Sequence, residues 1–197
     1  MCISDCPVPI YQDDGEIHAL REHVRALKPA RILEIGSLFG GTLWYWMQDA
    51  PGAKIVSVDT GVQAFDHRHE DVEAARALMW PVWERATGCE LVQIREDSTV
   101  QSTIDLVRTH APFDFIFIDG GHSREIALSD WKNYWPMLRE GGLLAMHDIA
   151  YPDDNPVNYA VGAVWREVRE NGRWIEIIRE HNPEGIWGIG AMWKERK

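Results

Sequence analysis

Four ionisable residues stand where two apolar runs stop: Asp119 and His122 follow FDFIFI in the segment DGGH, and His147 and Asp148 follow GGLLAM. Runs that hydrophobic read as buried strands, and in an open parallel sheet ligands collect beyond the carboxyl ends of the strands. If the two strands are neighbours, Asp119 and Asp148 project from ends about 4.8 Å apart. Carboxylates that close repel unless a cation or a proton lies between them, and a divalent cation is the economical solution. Asp119, Asp148 and, third, His147 are the candidate metal ligands. Magnesium suits an oxygen-lined, half-hydrated position, whereas imidazole suits a transition metal, so His147 turns the expectation toward manganese, iron or zinc, stands behind the ligands, or signals that no metal binds. His122, three residues after Asp119, titrates near neutrality and is the candidate general base, with helix capping as its plain structural alternative.

The elements that position these residues alternate. ARILEIG, KIVSVD, LVQIRED, FDFIFIDGG and GGLLAMHD are short β-rich runs, each followed by a longer helix-like stretch. That alternation predicts an α/β, doubly wound, Rossmann-like sheet, mostly parallel and covered by helices on both faces. A helix over Glu16 to Leu27 precedes the first strand, and Pro29 marks its exit. RWIEIIRE and WGIGAMWK, separated by the turn-like HNPEGI, read as a closing pair of strands, one of them antiparallel to the rest. With no repeat and no linker-like shift in composition, residues 1–197 read as a single domain, of which residues 1–28 are a leading segment and helix.

The first strand-to-helix turn, LEIGSLFGGT, carries Glu34, Gly36, Ser37, Gly40 and Thr42. Its glycines permit close approach of the backbone to a ligand, but E-x-G-x-x-x-G-x-T is not the G-x-G-x-x-G dinucleotide fingerprint, since Leu38 stands where the second glycine belongs. The second strand ends in Asp59, placed to receive a ribose diol. Asp97, at the end of the third, is placed to accept from an adenine amino group, and Ser98 adds a hydroxyl; capping the next helix is nearly as natural for both. Together these residues describe a nucleoside pocket without a phosphate clamp.

Bulk composition narrows the classes. The net charge of -11 and the absence of a dense basic run disfavour a nucleic-acid partner. No run approaches the apolar length of a membrane span, and MCISDCPVPIYQDDGE lacks the basic and apolar regions of a secretory leader. Three cysteines, Cys2, Cys6 and Cys89, show neither disulfide-framework nor zinc-ribbon spacing, which fits a reducing cytoplasm. Ten tryptophans read mainly as core. FDHRHED reads as the polar entry to a helix.

From EIGSLFGGT through SVD and EDS to the closing strands, the chain resembles the class I S-adenosylmethionine-dependent methyltransferases. IFIDGGHSREIALSDW and GGLLAMHDI resemble the branch with cephalosporin-hydroxylase-like proteins and macrolide-sugar O-methyltransferases. The resemblance implies a seven-stranded sheet with an antiparallel last strand. It implies Gly36 and Gly40 beside the cofactor's amino-acid part, Asp59 on the ribose and Asp97 near adenine, with Glu34, Ser37, Thr42 and Ser98 among the cofactor-binding residues. Asp119 borders both cofactor and reaction centre, and His122 is the base of a metal-assisted transfer to a small-molecule hydroxyl, such as that of a sugar. The related enzymes commonly carry an acidic pair where this chain has His147 and Asp148. Two other readings are a cofactor-binding accessory protein without transferase activity and a nicotinamide-dependent oxidoreductase, which Leu38 opposes. The acceptor pocket is expected among YPDDNPVNY, the helix with Trp80 and Trp83, and the N-terminal residues. Whether copies associate as a homo-oligomer is open.

Overall fold

The computed structural model describes residues 6–61, 68–150, 159–179 and 187–196. Helix α1 (Asp14–Leu27) leads into β1 (Arg31–Ile35), and four further strand-and-helix steps follow: α2 (Gly41–Asp49), β2 (Lys54–Val58), α3 (His69–Thr87), β3 (Glu90–Ile94), α4 (Gln101–Arg108), β4 (Phe113–Ile118), α5 (Arg124–Tyr134), β5 (Leu138–His147) and α6 (Val161–Val168). The closing strands are β6 (Arg173–Ile177) and β7 (Ile189–Trp193). Asp13 caps α1 by accepting from the amides of Gly15 at 2.8 Å and Glu16 at 3.2 Å, so the helix starts two residues before the expected Glu16.

Seven strands form one sheet in the order β3-β2-β1-β4-β5-β7-β6. β7 is antiparallel to both β5 and β6, and the other described pairs are parallel, as expected for a fold whose last strand reverses. The order turns back between β1 and β4, which opens a crevice at their carboxyl ends.

Alternation along the strands divides the core between two faces. Ile32, Phe115, Phe117, Leu143 and Ala145 meet α1, α2 and α3 through Ile17, Leu20, Leu43, Trp46, Trp80 and Trp83. Leu33, Ile35, Ile116, Ile118, Leu144 and Met146 meet α4, α5 and α6 through Ile104, Val107, Ala127, Val164 and Trp165. Burial on both faces is why these strands are nearly continuous apolar runs. The helix-like stretch after β4 ends at Tyr134, a 3-10 turn spans Trp135–Met137, and β5 starts at Leu138. Pro136 supplies no amide to continue the helix. Of the earlier expectations, HNPEGI, most of YPDDNPVNY and the first residues of FDHRHED lie outside the described residues.

Candidate active site

The crevice holds a cavity of about 370 Å³ lined from the β1, β2, β3, β4 and β5 ends and closed on one side by Pro9 to Gln12. At its centre the turn after β1 passes against the end of β4: the Asp119 amide donates to Ile35 O at 2.8 Å, and the Gly36 amide donates to Val58 O at 2.9 Å. Gly36 has φ +81, and a Cβ there would fall 2.0 Å from the Asp119 carbonyl oxygen, so only glycine fits. Gly40 does not line the cavity. Its φ is +90 and a Cβ would meet Trp80 Nε1 at 2.5 Å, so this glycine serves packing beneath the turn.

Three of the acids expected at the nucleoside end are engaged by the protein itself. Asp59 accepts from the amides of Ser37 at 2.7 Å and Leu38 at 2.9 Å through one oxygen, and from Gly61 N at 2.6 Å through the other, which also faces the Arg76 guanidinium at 2.7 Å. Three amide donors and the facing guanidinium engage both oxygens, so Asp59 braces the turn. Burial opposes its ionisation, but Arg76 and the amides outweigh burial and hold the carboxyl below its usual range. Arg76, 2% exposed, also donates to Leu38 O at 2.6 Å, stapling α3 to the turn.

Glu34 shares the sheet face of Ile32, which turns it toward α2 and away from the cavity. It is fully buried, accepts from the Thr42 hydroxyl, and burial pushes its carboxyl up to about 8 despite that bond. Thr42 and Ser37 line the cavity, and the Ser37 hydroxyl pairs with Ser57 at 2.7 Å. Asp97 and Ser98 also line it, but Asp97 Oδ1 is taken by Thr99 through its amide at 2.7 Å and its hydroxyl at 2.6 Å. The cap of α4 is Val100, so neither residue is the helix cap that the sequence offered as the alternative.

At the other end of the cavity all four strand-end residues meet. His147 Nδ1 lies 3.2 Å from an oxygen of Asp119 and 3.2 Å from an oxygen of Asp148. His122 Nε2 lies 2.8 Å from the second oxygen of Asp148, and Gln12 donates to the second oxygen of Asp119. Burial alone would make the His147 imidazole less basic; the two carboxylates outweigh it and raise its pKa. His122 moves the same way for the same reason, through Asp148 first. Asp148 is pulled far below its ordinary value, because the two imidazoles outweigh its burial. Its backbone is left-handed at φ 64, a conformation that costs an L-residue about 1–2 kcal/mol. Flanking bonds from Ile149 N to Gly188 O at 3.2 Å and from Ala150 N to Trp187 O at 2.8 Å hold the chain there.

The cation expected between the carboxylates is therefore, in this arrangement, an imidazole N–H. Ligand atoms of Asp119, His122 and Asp148 all lie within 4.8 Å of one another and could hold a metal ion. His147, expected as the third ligand, is not among them: its Nδ1 faces both carboxylates, and its Nε2 is buried without a hydrogen-bond partner among the described residues. Two carboxylates and one imidazole suit a first-row transition ion better than magnesium. With the His122–Asp148 pair formed, Nε2 donates to the carboxylate, so a base would act through Nδ1 and an ion bound at Nε2 would displace the Nε2 proton.

Trp80 and Trp83 do not form an acceptor wall. Both are buried, and Trp80 Nε1 donates to Phe39 O at 3.0 Å. The aromatic residues that line the cavity are Tyr11, Phe39, Tyr159 and Trp187, with Tyr159 stacked on His122 at 5.3 Å between centroids. Of the FDHRHED residues, His69 contacts the Gly61 carbonyl through Nδ1 and joins no metal cluster among the described residues. Gln12 and Arg76 were not foreseen, and nothing local in the sequence marks either.

The strand order, the reversed last strand and a cavity at the β1–β4 reversal define a methyltransferase of the Rossmann-like class. A family model described as a methyltransferase domain matches residues 33–149, more than half of the chain, and the chain belongs to that family. Solved structures agree on the fold. An O-methyltransferase from Bacillus cereus in complex with SAH is 17% identical with a TM-score of 0.63, over 94% of this chain and 83% of that one. TomG from Streptomyces achromogenes, an O-methyltransferase of tomaymycin synthesis in complex with SAM, is 18% identical with a TM-score of 0.61, over 91% and 79%. MycE, from the mycinamycin pathway and in complex with Mg, SAH and mycinamycin VI, is 18% identical with a TM-score of 0.60, over 91% of this chain and 49% of that one. No helix among the described residues is long and apolar enough to cross a membrane.

Proposed function

We propose that this chain transfers the methyl group of S-adenosylmethionine to a hydroxyl of a small molecule, such as a sugar or secondary metabolite, within the cytoplasm. The observation that supports the reading is the 2.8 Å contact of His122 Nε2 with Asp148 at one end of a cavity whose other end is lined by Ser37, Asp59, Asp97 and Ser98. In it, Gly36, Ser37 and Thr42 border the amino-acid part of the cofactor, Asp59 shapes the turn under the ribose, and Asp97 and Ser98 flank the adenine. His122 takes the acceptor proton as the oxygen attacks the sulfonium methyl, and Asp148 stabilises the imidazolium that results. Asp119 and His147 hold Asp148 in place.

A second reading, favoured by the spacing of Asp119, His122 and Asp148, is that these three hold a divalent ion. Such an ion would acidify and orient the acceptor hydroxyl. Transfer of a labelled methyl group to a panel of sugar and phenolic acceptors, with chelator or with manganese, separates the two. The base reading expects activity in chelator and a loss of about 10²- to 10⁴-fold in His122→Ala. Activity that depends wholly on added metal favours the ion, and turnover unchanged in His122→Ala removes the base. Saturable cofactor binding with no product from any acceptor favours an accessory role.

A further inference from the structure

Trp187 stands just before β7 with its backbone in the left-handed region at φ 69, and Gly188 follows at φ 83. Glycine adopts that conformation freely, but a residue as bulky as tryptophan rarely does. Packing inside the protein does not account for it. Trp187 is half-buried, belongs to neither apolar layer of the core and lines the cavity instead. A strained backbone held at a cavity wall points to a side chain that faces a ligand.

Two sets of bonds fix this turn. The first prolongs the β5–β7 pairing beyond His147 and Ile189: the Ile149 amide donates to Gly188 O at 3.2 Å and the Ala150 amide to Trp187 O at 2.8 Å. Trp187 is thereby set beside Asp148, at the end of the cavity that also holds His122 and His147. The second comes from Glu16 of α1, which is 2% exposed. Its carboxylate accepts from Arg179 N at 3.0 Å through one oxygen and from Gly188 N at 2.8 Å through the other, while Asp13 pairs with the Arg179 guanidinium at 2.8 Å. Arg179 and Gly188 bracket the connection from β6 to β7, and a carboxylate offers an acceptor to both amides. Glutamine would turn its own N–H groups toward one of them.

Resting on the reading that the cavity takes S-adenosylmethionine, we propose that Trp187 is a specificity-determining residue whose indole carries the ring of a phenolic acceptor, and that Glu16 is the positioning residue that holds it there. The polar side chains at this end are engaged with one another: Gln12 with Asp119, His147 with Asp119 and Asp148, and His122 with Asp148. A sugar carries hydroxyls all round its ring, and each one buried needs a partner, whereas a phenol needs one polar group for its hydroxyl and apolar surface for its faces. Tyr11 and Tyr159 add aromatic surface to the same cavity, Tyr159 stacked on His122. Ring contacts with such groups are favourable beyond the area they bury. A phenol, with a pKa of about 10, also yields its proton to an imidazole more readily than a sugar hydroxyl does. The phenol oxygen takes the methyl, its proton passes to His122, and S-adenosylhomocysteine leaves.

The test is calorimetric titration of 4-nitrophenol and of methyl β-glucoside into protein saturated with S-adenosylhomocysteine. Wild type is expected to bind the phenol about tenfold more tightly or better, since the sugar's buried hydroxyls go unpaired. Trp187→Ala should weaken 4-nitrophenol about tenfold, and Trp187→Phe, which keeps an aromatic face, no more than about threefold. Glu16→Gln should give the Trp187→Ala loss with the indole still present, and the Glu16→Gln/Trp187→Ala double variant should lose nothing further. Affinity for S-adenosylhomocysteine should stay within about threefold throughout. Gly188→Ala, whose Cβ would fall 2.9 Å from Ala150 Cβ and displace the turn, replaces Glu16→Gln if that variant fails to fold. Tighter binding of the glucoside, binding of neither probe, or phenol affinity unchanged in Trp187→Ala overturns the proposal, and phenol affinity unchanged in Glu16→Gln removes Glu16 from it. Failure of wild type to bind S-adenosylhomocysteine would instead refute the cofactor reading beneath it.

Discussion

The two ends of the cavity handle acidic side chains in opposite ways. At the end proposed for the nucleoside, Asp59 is matched by three backbone amides and the Arg76 guanidinium. At the end proposed for transfer, Asp119 and Asp148 are matched by the imidazoles of His122 and His147. Fixed partners make a rigid cradle, whereas titratable partners make a centre that can pass a proton or exchange its cation for a metal. The same residue type thus braces one end and equips the other for chemistry.

Removing Asp148 should have the largest effect on the transfer end alone. Asp148→Ala is expected to lower methyl transfer by about 10²- to 10⁴-fold, while affinity for S-adenosylhomocysteine, measured by calorimetry, stays within about threefold because the distant end is untouched. A large parallel loss of affinity would mean that the two ends are coupled.

Arg76→Leu breaks the nucleoside end. It leaves Asp59 without its cation in a largely buried setting, and denaturant unfolding should show a loss of about 3–5 kcal/mol, with weaker cofactor binding in the folded fraction. A variant as stable as wild type would show that the amides alone suffice.

Glu34 sharpens the contrast through pH. Its carboxyl is raised from 4.5 to about 8, so the folded chain holds that proton more tightly than the unfolded chain. Its contribution is therefore present below pH 4.5 and is lost as pH rises toward about 8. Glu34→Gln, which keeps a partner for Thr42, should lose less stability than wild type across that window in urea unfolding. Parallel pH curves for the two proteins would contradict the buried neutral acid.

The smallest effect is expected at Gln12, whose amide contacts Asp119 from the N-terminal segment. Gln12→Ala should lower transfer by roughly twofold to tenfold, the worth of one hydrogen bond, without changing unfolding.

The strands and their ends were legible because a parallel strand buried on both faces must be apolar throughout, so a polar residue marks where it stops. The same rule brings Asp119, His147 and Asp148 to one edge of the sheet, with His122 on the turn beside them. Their division of labour was not legible. Whether His122 or His147 points a lone pair at the ion position depends on ring orientation, which spacing does not encode. Glu34 alternates in phase with Ile32 and so turns toward α2 rather than the cavity, but with helices on both faces of the sheet alternation alone does not tell which face a residue takes. Arg76 reads like any solvated helix residue, and Gln12 lies 107 residues from its partner along the chain. Nothing local reports a contact made by folding.

The central claim is that the crevice between β1 and β4 is a cofactor pocket feeding the His122–Asp148 pair. Calorimetric titration of S-adenosylhomocysteine into chelator-treated protein tests it most directly. The account predicts saturable one-to-one binding in the absence of metal. No detectable heat at any ligand concentration, with or without added manganese, would contradict it.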